Sequence, residues 1–231
     1  MSTSILLAEG RRSSRNRKII HRRLVDFSNK HDLVTSSQFG FRNNCSTETA
    51  LLSQKEFILK NFEKKNLVLG VFLDFTKAFD CISHKVLFKK LEVYGIRGQA
   101  LLLLQSYLEH RQQYVSINGN SSTIKPITSG VPQGSVLGPF LFNMYINDII
   151  NVNKEAKFVM YADDASIFFS SETADELIDM ANLTLSRIKS WGDSNSLTVN
   201  SSKTKAVIFR PKKKNLWWCL SFSVLIRLEL K

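Results

Sequence analysis

Residues 67–75 read Leu-Val-Leu-Gly-Val-Phe-Leu-Asp-Phe, an apolar stretch interrupted by a carboxylate only at Asp74. A run of this length without polar alternation is typical of a strand covered on both faces. Such a strand needs a sheet around it and further layers against that sheet, so the rest of the chain must supply them. It also carries Asp74 to the strand end. A carboxylate buried there is costly unless a cation or several donors meet it.

The remaining elements can be read around this strand. Residues 19–33 fit a helix with Ile19, Ile20, Leu24 and Phe27 on one side, and 38–44 fit a loop. A helix over 46–65 would turn Leu51, Leu52, Ile58, Leu59 and Phe62 inward. Helices follow at 83–94, with Leu87, Leu91 and Tyr94 aligned, and at 99–110. Residues 114–118 and 123–128 fit a β-hairpin, 129–138 a Gly/Pro loop, and Leu137, Phe140, Leu141 and Met144 open another helix. Two apolar runs, 158–161 and 165–169, flank Ala162-Asp163-Asp164, which predicts a hairpin with paired acids at its tip. Thr173 and Glu176 have capping-box spacing ahead of Ile178, Ala181, Leu185 and Ile188. Short strands at 197–199 and 204–209 end the pattern. No internal repeat is visible. The order predicts an α+β fold, an antiparallel sheet with helices packed on one face.

Charge restricts the partners. The net charge is +12, and the excess lies in residues 1–69 and 171–231, while 70–170 is nearly neutral. A basic rim around a neutral core suits a polyanion such as nucleic acid. No apolar run reaches the roughly 18 residues of a membrane span, and the N-terminal apolar stretch is too short for a secretory signal. Cys45, Cys81 and Cys219 are scattered and odd in number, which predicts thiols in a reducing compartment and no disulfide or zinc site. Residues 1–18 are expected to be a poorly ordered basic leader.

Asp74, Asp163 and Asp164 form the candidate chemical centre. If their strands are neighbours, the three acids meet at one end of the sheet. Such a cluster repels itself, and the simplest remedy is Mg²⁺, a hard cation that favours carboxylate oxygen. Two such ions about 3.5–4 Å apart would support in-line phosphoryl transfer. Taken singly, the features are ambiguous: Asp-Asp is common in hairpin turns for its turn geometry alone. The sequence holds no P-loop and no Gly-x-Gly-x-x-Gly, and its histidines share no ligand spacing.

Three segments resemble core motifs of reverse transcriptases in their order: 72–80 (Phe-Leu-Asp-Phe-Thr-Lys-Ala-Phe-Asp), 129–139 (Ser-Gly-Val-Pro-Gln-Gly-Ser-Val-Leu-Gly-Pro) and 161–164 (Tyr-Ala-Asp-Asp). Residues 37–42 with Ser46-Thr47-Glu48 resemble the fingers motif of non-LTR (LINE-type), jockey-like retrotransposon enzymes. The resemblance implies a right-hand polymerase palm with partial fingers over 19–214, lacking a thumb. It implies RNA-directed DNA polymerase activity on an RNA template and a DNA primer with dNTPs and two Mg²⁺ ions. Asp74, Asp163 and Asp164 match the metal-binding aspartates, and Phe75 a position whose backbone carbonyl helps to hold metal. Phe79 matches the gate beneath the incoming sugar, Gln133 and Gly134 the loop against the nascent base pair, and Arg42 a position near the triphosphate. Lys203 matches a lysine that protonates pyrophosphate.

Family members are usually longer, and two regions depart from them: the leader and the apolar tail at 215–231, which does not resemble a primer-gripping hairpin. The alternative expectation is therefore a truncated relic that binds nucleic acid without catalysis. Another palm-fold nucleotidyl transferase using ATP or GTP is a weaker rival, opposed by Phe79 and Gln133. The cluster Arg210-Pro211-Lys212-Lys213-Lys214 and retrotransposon biology point to the nucleus. No membrane partner is expected.

Overall fold

The computed structural model describes residues 4–7, 14–109, 111–118, 120–211 and 221–225. Its elements are β1 (Ser4–Leu7), α1 (Ser14–Lys30), α2 (Thr47–Glu63), β2 (Leu67–Leu73), α3 (His84–Val93), α4 (Gly98–Leu108), β3 (Gln112–Ile117), β4 (Asn120–Ser121) and β5 (Lys125–Pro126). There follow α5 (Gly138–Ile146), a 3-10 segment (Asn147–Val152), β6 (Lys157–Tyr161), β7 (Asp164–Ser171), α6 (Ala174–Ser194), β8 (Lys205–Arg210) and β9 (Ser221–Leu225). The chain forms two units, Met1–Leu33 with Phe79–Tyr145, and Val34–Ala78 with Ile146–Lys231.

The second unit holds the apolar strand. β2 lies in the middle of a five-stranded antiparallel sheet ordered β6-β7-β2-β8-β9. Its register sets Val71 opposite both Ile167 and Ala206, and Leu73 opposite Ala165. Val68, Phe72, Phe168 and Phe209 form one face, where Ala50 and Ile58 of α2 pack against them. The other face of β2, with Leu69, Val71 and Leu73, is equally buried. α6 packs against β2 and β7 and buries Leu177, Ala181, Leu185 and Ile188. The antiparallel sheet with helices against it is as expected, and so is burial on both faces of β2; it goes beyond the single helical face expected of the sheet. Full burial of Leu69 or Phe168 contributes about 1.5–3 kcal/mol each.

α2 turns a different face inward from the one its leucines suggested. Leu51, Leu52 and Leu59 are exposed, while Ala50, Ile58 and Asn61 are buried and Phe57 and Phe62 pack beside them. Small Ala50 on this stripe lets the helix backbone approach the sheet. Its start is fixed by Ser46, whose Oγ accepts from the Thr49 N–H while Thr49 Oγ1 accepts from the Ser46 N–H, a reciprocal capping box. At α6 only half of the expected box forms: Thr173 Oγ1 accepts from the Glu176 N–H, but the Glu176 carboxylate bonds the Ser171 hydroxyl instead.

The first unit packs α3 against α4, with Leu87, Leu91, Leu104 and Leu108 fully buried. Its small sheet orders β1-β3-β4, with β5 also beside β3. In α5, Leu141, Phe142, Met144 and Tyr145 are fully buried. The Tyr145 hydroxyl accepts from the Ser83 N–H at 3.3 Å, and its carbonyl accepts from Lys90 Nζ at 2.6 Å. These bonds satisfy polar groups that burial would otherwise penalise.

Some boundaries differ from expectation. α1 begins at Ser14 rather than at residue 19, and Ser4–Leu7 is a strand paired with β3, so regular structure starts inside the expected leader. The helix carries Ile19 and Ile20 with Arg15, Arg17 and Lys18, and charged residues of good helix propensity extend it backwards. Residues 212–220 and 226–231 of the basic cluster and apolar tail lie outside the described residues, while Ser221–Leu225 pairs with β8.

Candidate active site

Asp74 follows the last residue of β2, and the sheet continues past it. The Asp74 carbonyl accepts from the Asn200 N–H at 2.7 Å, Phe75 bridges to Val199, and the Thr76 N–H donates to Thr198 O at 2.9 Å. Segment 198–200 thus holds 74–76 as a short extra rung. The Phe75 side chain is buried, its ring centroid 6.4 Å from that of Trp191. Beyond Asn200 the chain turns sharply: the N–H groups of Lys203 and Thr204 both donate to Asn200 O. That turn brings Lys203 Nζ to 3.5 Å from Asp74 Oδ2. The Lys203 side chain is 68% exposed and that of Asp74 33%, so the pair adds little to stability.

Asp163 and Asp164 sit where the sequence placed them, at the tip of the β6–β7 hairpin. Tyr161 pairs with Asp164, so the loop contains only Ala162 and Asp163. Because Leu73 pairs with Ala165, the next step along each strand carries Asp74 and Asp164 to the same end of the sheet. Electrostatics register this proximity. Partial burial, then the charges of Asp163 and Asp74, push the Asp164 carboxyl above its ordinary range. A cavity of about 410 Å³ beside it is walled by Ala50, Leu51, Phe72 and Leu73, apolar surface that disfavours a charge.

Among the described residues no group of three or more His, Cys, Asp or Glu side chains is arranged to hold a metal ion. Asp163 and Asp74 lie within electrostatic reach of Asp164, and Lys203 pairs with Asp74. The acids' donor chemistry nevertheless fits a hard divalent cation: three carboxylates, oxygen only, whose mutual repulsion a cation would relieve.

The expected nucleotide-contacting residues divide between the units. Phe79, Gln133 and Gly134 belong to the first, where the structure brings them together. Loop 129–134 is stapled to turn 79–82: Gly130 N–H donates to Ile82 O at 2.7 Å, Val131 N–H to Phe79 O at 2.9 Å, and Gln133 Nε2 to Asp80 Oδ1 at 3.2 Å. Gly130 has φ +82°, and a Cβ there would lie 2.8 Å from Asp80 O, so only glycine permits the contact. His84 Nε2 bonds Gly130 O at 2.7 Å from the other side. Gln133 and Gly134 are exposed, whereas Phe79 is half-buried and stacks on Phe142 at 4.2 Å.

Arg42 belongs to the second unit. Its Nη1 donates to Thr35 O at 2.7 Å and Gln38 O at 3.2 Å, bracing the loop it sits on. Two residues without an assigned role stand out beside the acids: Asn200, which anchors Asp74, and Gln38, which is 1% exposed against Ala162. Gly40 in the same loop approaches Ala162 so closely that a Cβ would lie 2.2 Å from its nitrogen. A polar residue beside Phe39-Gly40 hinted at this, but its partner is 124 residues away. Cys45 and Cys81 are thiols, and Cys219 lies outside the described residues. Among the described residues no helix is long and apolar enough to cross a membrane.

Residues 14–225 match the family described as reverse transcriptase (RNA-dependent DNA polymerase). The RNA-directed DNA polymerase from mobile element jockey of Drosophila melanogaster is 32% identical over 215 residues, covering 90% of this chain and 23% of that protein. The probable RNA-directed DNA polymerase from transposon BS of the same fly is 31% identical, covering 81% of this chain and 21% of that protein. The chain therefore spans less than a quarter of the length of these curated relatives. In fold it resembles apo telomerase from Candida tropicalis, truncated from its C-terminal domain, with TM-score 0.61 at 13% identity over 90% of this chain and 42% of that one. It also resembles Candida albicans telomerase, solved with a fragment of telomeric RNA, with TM-score 0.56 at 15% identity over 93% of this chain and 37% of that one.

Proposed function

The chain belongs to the reverse transcriptase family, in the company of non-LTR retrotransposon enzymes, and from that premise we propose that it carries the polymerising centre of such an element. It would join a deoxynucleotide to a primer 3′-OH, copying an RNA template and releasing pyrophosphate. The observation that supports this most is the meeting of Asp74 and Asp164 at one end of paired strands, with Asp163 in the adjoining turn.

Asp74, Asp163, Asp164 and the Phe75 carbonyl would hold two Mg²⁺ ions. When bound, these lower the pKa of the primer hydroxyl and neutralise charge on the phosphates. The chain's own residues supply the rest. Lys203, beside Asp74 and largely exposed, would give a proton to the departing pyrophosphate. Phe79, stacked on Phe142, would present a ring edge that leaves no space for a 2′-OH. The exposed Gln133 and Gly134 would contact the nascent base pair and template. Arg42 would meet the triphosphate with guanidinium nitrogens other than the Nη1 that braces its loop. The basic ends would grip the nucleic-acid backbone, and residues 210–214 would direct the protein to the nucleus.

The test is primer extension on an RNA template with Mg²⁺. Template-dependent dNTP incorporation that Asp163→Ala abolishes is expected. Salt-dependent binding of an RNA–DNA duplex without incorporation would select the inactive nucleic-acid-binding relic instead.

A further inference from the structure

We propose that Gln38 is a positioning residue for the Asp163–Asp164 turn, its side-chain amide gripping the backbone of Ala162 and thereby aiming the carboxylate of Asp163.

The second unit supplies the whole argument. β6 is an edge strand of the five-stranded sheet. Residues 37–39 cover its outer side: Met160 N–H donates to Ser37 O, and Phe39 N–H donates to Met160 O, both at 2.8 Å. This rung carries the Gln38 side chain past the strand end to Ala162. There Oε1 accepts from Ala162 N–H at 3.1 Å and from Gly40 N–H at 2.8 Å, while Nε2 donates to Ala162 O at 3.2 Å. The amide has one workable orientation, since a flipped group would set its NH₂ against two N–H donors. Both backbone polar groups of Ala162 are satisfied by one side chain. The carbonyl it holds belongs to the peptide unit that ends at Asp163.

That turn needs holding. Ala162 has φ +57°, a left-handed conformation that an alanine resists and that the first position of a two-residue hairpin loop usually gives to Gly or Asn. Gln38 is 1% exposed, so an unpaired amide would not be tolerated there. Gly40 permits the approach, and Arg42 Nη1 braces Gln38 O from behind. A residue needed only to fill space would be apolar; a buried glutamine with three bonds to two backbone residues is a device for setting geometry.

The inference rests on the polymerase reading for the task of Asp163, and the experiment separates the two. Gln38→Met, Gln38→Glu and Gln38→Met/Ala162→Gly are compared with the parent chain. Mg²⁺ and Mn²⁺ affinities are measured by calorimetry, and primer extension is followed as a function of Mg²⁺. Gln38→Met, nearly isosteric, is expected to weaken metal affinity about tenfold or more, to raise the Mg²⁺ requirement and to lower kcat with little change in the dNTP KM. Gln38→Glu keeps the acceptor for two N–H groups but loses the donor, and should fall between Gln38→Met and the parent. Ala162→Gly relieves the left-handed strain and should partly restore metal affinity to Gln38→Met.

Metal affinity unchanged in folded Gln38→Met would overturn the proposal. So would a loss that follows thermal stability alone and is not rescued by Ala162→Gly. A parent chain that binds metal but extends no primer would defeat the polymerase reading, while the metal titrations would still decide the role of Gln38.

Discussion

The two units place their functional residues by opposite means. In the unit with the five-stranded sheet, the register that buries Leu69, Val71 and Ile167 also sets Asp74 and Asp164 at one end, with Asp163 in the two-residue loop beside them. In the other, Phe79, Gln133 and Gly134 sit on turns joined by bonds such as Gly130 N–H to Ile82 O and Gln133 Nε2 to Asp80 Oδ1. A strand in the middle of a sheet cannot shift its residues without breaking two ladders. A stapled loop can move by changing a few bonds. Under the proposed function, chemistry that tolerates no displacement would belong to the sheet, and selection among nucleotides to the loops.

This contrast can be broken or sharpened by experiment. The largest effect is expected at the acids: Asp163→Ala should lower kcat by about a thousandfold or more, on the scale of the charge stabilisation that metals supply, with thermal stability nearly unchanged. Primer extension beside a melting curve checks this, and equal activity would remove Asp163 from the centre. Phe79→Val should leave the dNTP rate nearly intact but loosen selection against ribonucleotides by about tenfold to a hundredfold. Competing kcat/KM values for a dNTP and its ribonucleotide measure that, and unchanged selectivity would remove Phe79 as the gate.

Smaller effects should appear in stability. Gly40→Ala forces a Cβ to within 2.2 Å of the Ala162 nitrogen, and should cost about 1–3 kcal/mol in urea unfolding because backbone must move. Gly40→Ala no less stable than the parent would mean that loop 37–42 is not tightly seated. The smallest effect is a pH slope in the first unit. Burial holds His21 below its ordinary 6.5, its ring edge-on to Phe140 at 6.4 Å. The unfolded chain then binds the proton more readily than the folded one. Stability should be fully present above about pH 6.5 and fall as pH drops below it. His21→Gln should flatten that slope between pH 7.5 and 5.5.

Much of the architecture was legible because it is local. The apolar run became β2, the Asp-Asp segment became a hairpin tip, and Ala181, Leu185 and Ile188 faced inward as their spacing required. The inward face of α2 was only partly legible: Ile58 and Phe62 turn inward as read, but Leu51, Leu52 and Leu59 do not. Leu51, Leu52 and Leu59 form as good a stripe as Ala50, Phe57, Ile58 and Asn61, and only the sheet, which favours a close helix, chooses between them. At α6 the capping-box spacing was read correctly as a helix start, but Ser171 offered Glu176 a better partner than the backbone.

The site shows the same division. In the sequence, the resemblance of three motifs to reverse transcriptases singled out the acids, loop 129–139 and Phe79 as candidates, because each motif joins near neighbours in the chain. Tertiary structure alone decided that Asp74 and Asp164 meet, that Asn200 carries Lys203 to Asp74, and that Gln38 closes on Ala162. Those contacts join residues at least 90 positions apart in all three cases, and their energy depends on a register and a packing distance that no local pattern encodes.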